Sequence, residues 1–406
     1  MTTTATTPVR PDRTHSVKKL TQSRWYPVVL FLGVAVVLYT VVAVAGHLGR
    51  SQVGGVTLSS ETWDGPFFLE GWARYDAGWY RSIADRGYFW DPNAQSSVAF
   101  FPAYPMSMGF LGDVFGGEVF VWGTLITFAS GFLVVVLFHT WCRDRLGPAA
   151  TPTAVAVLVL WPYAWYLFGA VYADALFLAA VLLAFVFLER DKVWLAALAG
   201  AVATATRPVG AAVLIGLIIR LLERRGAFRF PVPDFRRLRR GDPVILLAAT
   251  GLLAYVVYLW RTFDEPFAFA EAESAPGWDQ RPGPKTWIKT AWMSRVVHMP
   301  ETATPYLANI SFQAVLSIGL LLLVPLVVKR LGWGYGAYTF IVLIIPLVGS
   351  KDFMGLGRYA LTAFPSFAVL GLVLYERPRL RIGWLAISGM LLVFYTGAFA
   401  YGKYVA

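Results

Sequence analysis

Charge is scarce in these 406 residues: Asp, Glu, Lys and Arg together make up 15%, against 57% hydrophobic and 16% aromatic. A chain of this length has too little polar surface to cover a water-soluble globule. Cysteine is nearly absent, and with Cys142 alone no intrachain disulfide can form. Short alternating strands are missing, which argues against a β-barrel. There is no Walker loop and no dinucleotide glycine motif in a strand–helix setting. There are four histidines, no HExxH and no Cys/His cluster, so neither a cofactor nor a divalent metal is expected. No tandem repeat is visible.

What remains is a series of apolar runs, several near or above the roughly 20 residues that cross a bilayer as a helix. Helices satisfy their own backbone in lipid, so the fold class is an all-α polytopic membrane protein. The runs predict about 11 transmembrane helices, near residues 27–48, 118–141, 150–168, 172–188, 193–206, 208–222, 243–262, 307–328, 334–349, 359–375 and 383–402. Residues 1–26 read as a Thr-rich basic cytosolic tail, and 27–406 as one transmembrane domain. The first run is too long for a signal-peptide core and has no convincing cleavage site. Outer loops are expected near 50–117 and 263–305. Thr206–Arg207–Pro208 interrupts the apolar run 193–222, because proline inside such a run breaks or turns it. Two short spans are the first reading. One kinked helix is the alternative, and it would reverse every later orientation.

With a cytosolic N-terminus, 22 of the 35 Lys and Arg fall inside, and 16 of the 24 Asp and Glu fall outside. That agrees with the positive-inside rule and sets the expected orientation. The eight basic residues of Arg220–Asp242 fix that orientation or meet anionic lipid headgroups. Nucleic acid is not an expected partner, since no soluble domain presents these charges. Both long loops are placed outside, so any chemistry belongs to the outer face of the plasma membrane. Cytosolic ATP and sugar nucleotides are scarce there.

Gly71–Tyr88 (GWARYDAGWYRSIADRGY) is the most informative stretch. At about 100° per residue, Trp72, Asp76, Trp79, Tyr80 and Ile83 share one helix face, with Arg74, Arg81 and Asp85 opposite. Asp76 then sits in an aromatic stripe, where a lone charge is costly unless paired or used. It is a helix cap, a catalytic base or an ion-pair partner, and the first two roles are compatible. Three more charges flank apolar spans on the same predicted side: Asp174, Arg207 and Arg358. Membrane-depth charges usually face an interior or cavity. Structurally, Asp174 complements a helix dipole, Arg207 pairs with it, and Arg358 snorkels to the interface. Chemically, the set suits group transfer from a phosphate: guanidinium binds phosphate bidentately, and a carboxylate accepts a proton from an attacking hydroxyl.

Arg74–Tyr88 followed by AFFPAYP (Ala99–Pro105) resembles the PIG-V-like mannosyltransferases, relatives of GPI mannosyltransferase II. Three further segments fit that family in order: LFGAVYADALF (Leu167–Phe177), ATRPVG (Ala205–Gly210) and GLGRYALTAFPSF (Gly355–Phe367). Tyr75 stands where the family has Trp, Asp174 where it has Glu, and Pro208–Val209 where it has Ser-Asn. The resemblance implies a GT-C fold whose first outer loop, with its amphipathic helices, bears the catalytic acid. It implies a polyprenyl-phosphate mannose donor, a lipid or glycan acceptor, and an inverting reaction without a covalent intermediate. On that view Asp76 is the general base, and Arg358 and Arg207 hold the donor phosphate. Asp174 orients the acceptor or supports Arg207. Tyr172, Trp79, Tyr80 and Tyr104 offer rings for sugar stacking or core packing, and Trp278 closes over the site or anchors its loop. His298 is an alternative base. A transporter or flippase for a lipid-linked substrate is the competing class, and a structural membrane protein the third. Convergence of the four charges on one outward cavity favours transfer chemistry.

Overall fold

A computed structural model of the chain describes residues 23–49, 63, 65–228, 232–298 and 304–405. Most of the basic tail expected over 1–26, and residues 50–62 of the first outer loop, lie outside the described residues. The helices are α1 (Tyr26–Gly49), α2 (Ala77–Arg86), α3 (Ala103–Phe115), α4 (Val119–Leu146), α5 (Thr151–Val159), α6 (Asp174–Glu189), α7 (Val193–Thr204), α8 (Ala211–Arg224), α9 (Thr250–Phe263), α10 (Ala268–Ser274), α11 (Pro284–Trp287), α12 (Thr290–Val297), α13 (Thr304–Leu322), α14 (Val324–Leu331), α15 (Trp333–Gly349), α16 (Leu356–Ala360), α17 (Phe364–Tyr375) and α18 (Pro378–Ala400). No strand occurs among the described residues. Five helical segments are long and apolar enough to cross a membrane: 26–49, 119–146, 242–263, 305–331 and 378–400. The protein is a multi-pass, all-helical membrane protein.

Burial follows each helix's position. In α1 the buried residues are Pro27, Phe31, Ala35, Leu38, Val42, Gly46 and Gly49, a stripe at three- and four-residue spacing. Val36, Val37 and Val44, off that stripe, are exposed as lipid-facing residues should be. Helix α6 is buried nearly all round and forms the centre of the bundle. It packs against α4 and α7.

Side-chain pairs at the two ends of α6 fix the path of the chain. Asp174, at its start, pairs with Arg207. Glu189, at its end, pairs with Arg145, with Arg220 at 2.6 Å and with Arg224 at 2.7 Å. These ends are about 24 Å apart at 1.5 Å per residue. Helix α7 therefore returns the chain to the Asp174 end, and α8 carries it back. The 193–222 run is two antiparallel helices, and Arg207 (φ −154°) turns the corner before Pro208.

Three predicted spans are broken. The span over 150–168 is α-helical only to Val159, and Trp161–Ala173 is buried chain, irregular apart from a short 3-10 helix at Ala164–Leu167. Pro162 supplies no donor and disfavours helix at Trp161. Non-helical backbone is tolerated at such depth only when protein satisfies it. Here Tyr39 donates to the Phe168 carbonyl at 3.0 Å and Thr127 to the Ala170 carbonyl at 2.9 Å, while Val171 N–H reaches the Trp72 carbonyl at 3.1 Å. The span over 359–375 divides at Leu361–Ala363, before Pro365, and the span over 307–328 is interrupted at Leu323, before Pro325.

Close approach of this irregular chain to α4 depends on Gly131. A methyl group there would collide with the Leu167 carbonyl oxygen, whereas one on Gly33 would meet nothing within 4 Å. Gly131→Ala is expected to destabilise the fold by at least about 1–3 kcal/mol, as overpacking does. Gly33→Ala is the matched control, and thermal melting in detergent should separate the two.

Candidate active site

Local backbone geometry places the acid. Glu70–Trp72 forms a single 3-10 turn, Tyr75 takes a left-handed φ of 55°, and α2 begins only at Ala77. The positive φ at Tyr75 swings the chain into the helix, a conformation uncommon for an aromatic residue. Asp76 occupies the N-cap position with no side-chain cap bond. Its backbone N–H donates to Tyr172 Oη at 3.2 Å, and its carboxylate accepts from Arg358 Nη1 at 2.8 Å. Of the two structural roles open to Asp76, a side-chain cap and an ion pair, the ion pair is the one observed. Its partner comes from α16.

Arg358 is the junction of the site. Its Nε lies 4.0 Å from the Asp174 carboxylate and has no hydrogen-bond partner among the described residues. Its Nη2 donates to Tyr359 Oη at 3.2 Å. The Tyr359 ring lies against both cations, 4.7 Å from the Arg207 guanidinium and 5.0 Å from that of Arg358. Cation–π contact is favourable when water is excluded. Tyr172 supplies another face to Arg358 at 5.0 Å.

These groups open on a cavity of about 390 Å³. Asp76, Asp174, Arg207, Arg358 and Glu273 line one part. Pro208, Val209, Val342, Ile345, Pro346 and Val348 form an apolar wall. A smaller chamber of about 90 Å³ adjoins it, lined by Trp278, Met354 and Tyr404, and shares Asp76, Glu273, Gln280, Arg358 and Tyr359. The site therefore has a charged junction, an apolar side and a polar–aromatic side. Among the described residues no three His, Cys, Asp or Glu side chains are placed to hold a metal ion.

The second long loop lines the cavity through Ala270, Glu273, Gln280 and Pro282 and is stapled to the strip before Arg358. Lys289 donates to the Ser350 carbonyl at 2.5 Å, Arg295 pairs with Asp352 at 2.5 Å, and Lys351 reaches Asp279 and the Gly277 carbonyl, both at 2.6 Å. Burial pulls the Lys289 ammonium down to about 8.

No family model and no curated protein sequence matches the chain. Among solved structures it is similar to ArnT from Cupriavidus metallidurans bound to undecaprenyl phosphate, with 18% identity and a TM-score of 0.50. That match covers 91% of this chain and 63% of ArnT, so the chain spans less than two thirds of that protein's length. It is also similar to the Archaeoglobus fulgidus oligosaccharyltransferase AglB in complex with an inhibitory peptide and a dolichol-phosphate (14% identity, TM-score 0.43), covering 94% of this chain and 56% of AglB. The chain has the GT-C fold.

Within this GT-C scaffold, Asp76, Asp174, Arg207 and Arg358 meet at one cavity, as do Tyr80 and, in the adjoining chamber, Trp278. Tyr172 is fully buried and holds the Asp76 backbone. Tyr104 is also fully buried, donating to the Gly123 carbonyl at 2.8 Å, so it packs the core and offers no ring to a sugar. Trp79 lines neither chamber, and instead packs against Trp278 with ring centroids 5.5 Å apart. His298 is exposed at the end of α12, its ring bonded to the Ser294 carbonyl, and does not line the cavity. Arg74, expected on the wet face of a helix, is 2% exposed. It precedes α2, and its Nε donates to the Ala400 carbonyl at the end of α18 at 3.1 Å.

Glu273, Gln280, Tyr359 and Tyr404 were not singled out from the sequence. Tyr359 adjoins Arg358, which was a usable signal. Glu273 gave none: Glu271 lies two positions away in the same short helix, and only packing shows which of them faces the cavity.

Arg207→Ala would leave the buried Asp174 carboxylate with Arg358 Nε at 4.0 Å as its nearest cation. A loss of about 3–5 kcal/mol is expected from breaking one side of such a pair. Replacing both partners, as Arg207→Met with Asp174→Leu, should restore most of the melting temperature.

Proposed function

We propose that this protein is a membrane glycosyltransferase. It moves a mannosyl residue from a polyprenyl-phosphate donor to a hydroxyl of a lipid or glycan acceptor, at the outer face of the plasma membrane. The observation that carries this reading is the junction of Asp76 with Arg358 and Arg207 on a cavity whose other wall is apolar. A polyprenyl phosphate needs both surfaces at once: cations for the phosphate and a dry wall for the first isoprene units.

In the reaction the acceptor oxygen attacks the anomeric carbon as the bond from that carbon to the phosphate oxygen breaks. Inversion follows from a single displacement. Asp76 accepts the hydroxyl proton. The departing phosphate gains a negative charge, and Arg358 and Arg207 stabilise it. Arg358 has a buried Nε with no acceptor, which a phosphate oxygen would supply. Its bond to Asp76 gives the resting site a logic. A phosphate that draws Arg358 toward itself releases the Asp76 carboxylate to act as base. The adjoining chamber, with Trp278 and Gln280, is the acceptor side. Trp278 and Tyr80 are the rings available to a sugar, and Asp174 supports Arg207.

The acid-rich end of α6 is assigned to the outside and the Arg145–Arg220–Arg224 end to the cytosol, in keeping with the excess of basic residues there. A transporter would place coupling charges along a midplane pathway. Here the charged groups that line the cavity gather at one end of α6, and the other ionic cluster lies at its opposite end.

The test is transfer from purified polyprenyl-phosphate mannose to a lipid extract of the source cell. Asp76→Asn should lower transfer by roughly 10²- to 10⁴-fold, the usual contribution of a general base, while donor binding persists. Equal transfer by both proteins would remove Asp76 from the reaction. No transfer by either would reject the donor or the enzyme reading.

A further inference from the structure

The site holds three carboxylates but only two guanidiniums. Asp76 is paired with Arg358 and Asp174 with Arg207. Glu273, from α10 in the second outer loop, is the third. It lines both chambers beside the two arginines and makes no ion pair or side-chain hydrogen bond among the described residues. Three ionised carboxylates would give this junction a net charge of −1 before any anionic substrate arrived. A phosphodiester donor would bring it to −2 in a partly dry cavity, which is unfavourable at low dielectric.

We propose that Glu273 is a further residue of the donor-phosphate subsite, present as the neutral acid and donating its carboxyl proton in a hydrogen bond to a phosphate oxygen. This rests on the reading of the cavity as a lipid-phosphate site. The neutral acid removes one negative charge and supplies a third donor beside Arg207 and Arg358. Ionisation reverses both effects and repels the phosphate. Arg207 and Arg358 are the charges that act on Glu273, and Asp76, Asp174, Tyr359, Gln280 and Tyr404 share its chambers. Burial pushes the Glu273 carboxyl up to about 7, against the opposing pull of the two guanidiniums. The proton is therefore held through the acid range and lost as pH rises through neutrality. An acid kept neutral in order to donate a hydrogen bond is a known catalytic device.

The probe is polyprenyl methyl phosphate in detergent micelles. This phosphodiester carries one fixed negative charge at pH 6–8.5 and no sugar. If the neutral acid alone accepts the phosphate, wild-type Kd should rise about 30-fold from pH 6 to pH 8.5 by proton linkage. Glu273→Gln should keep a nearly flat profile and bind more tightly than wild type at pH 8.5. Lys289 titrates in the same window, and the Glu273→Gln profile subtracts its contribution. Parallel profiles overturn the proposal. Binding by neither protein at any pH rejects the lipid-phosphate reading and the proposal with it.

Melting temperature is an independent readout. Between about pH 4.5 and 7 the native state would hold a proton on Glu273 that the unfolded chain has lost, so wild-type stability should fall relative to Glu273→Gln as pH rises. An unchanged difference between pH 5 and 8 also overturns the proposal.

Discussion

A guanidinium set among apolar helices must find an anion, and the junction at Arg358 is where this protein meets that demand. Removing an ion from water costs several kcal/mol even after relaxation, so an arginine at this depth is stable only with well-placed partners. Arg358 has Asp76 at 2.8 Å, Asp174 at 4.0 Å, and the faces of Tyr172 and Tyr359. Asp76 on one hand and the neighbouring Tyr172 and Asp174 on the other lie far in sequence from each other and from Arg358, so the requirement ties together the first long loop, the start of α6 and α16. The pairing is also incomplete. Among the described residues Arg358 Nε has no acceptor.

The other end of α6 meets the same electrostatic demand with more ion pairs, although Arg224 Nε there also lacks a hydrogen-bond partner among the described residues. Glu189 binds Arg145, Arg220 and Arg224 and accepts a hydrogen bond from Tyr335, while Asp242 holds Arg225 through both oxygens. These pairs lock the ends of α4, α6 and α8 and of the segment that begins at Asp242. Much of the basic run Arg220–Asp242 is thus engaged within the protein. Two ionic clusters on one central helix have different settings: one ties helix ends together, the other lines a cavity.

The geometry of the cavity depends on restraint from a long loop. The loop near 263–305 is held by Lys289, Arg295 and Lys351 to the strip Ser350–Asp352, just before α16. That arrangement positions Glu273, Trp278 and Gln280 over the acid of the first loop. The aromatic group Trp79, Phe100 and Trp278 continues the same wall. The two loops also pack together in a small hydrophobic cluster, Val98 and Phe101 with Ala268 and Ala272 and with Tyr255 and Leu259 of α9.

Hydrophobic length and charge placement are local properties, so the sequence by itself determined that the chain is a helical membrane protein. It also determined where its apolar runs lie and which charged residues they strand: Asp76, Asp174, Arg207 and Arg358. An ion inside an apolar run is conspicuous whatever the fold. Where helices stop was less legible. The irregular chain of Trp161–Ala173 is as apolar as a helix would be, and Thr127, Tyr39 and the Trp72 carbonyl, from distant elements, satisfy its backbone. Tertiary structure alone decided which acid meets which guanidinium. It sent Arg74 to the end of α18, buried Tyr104, left His298 outside and turned Glu273 rather than Glu271 toward the cavity. Those outcomes depend on which surfaces pack together, and hydrophobic periodicity cannot specify the partner of a single charge.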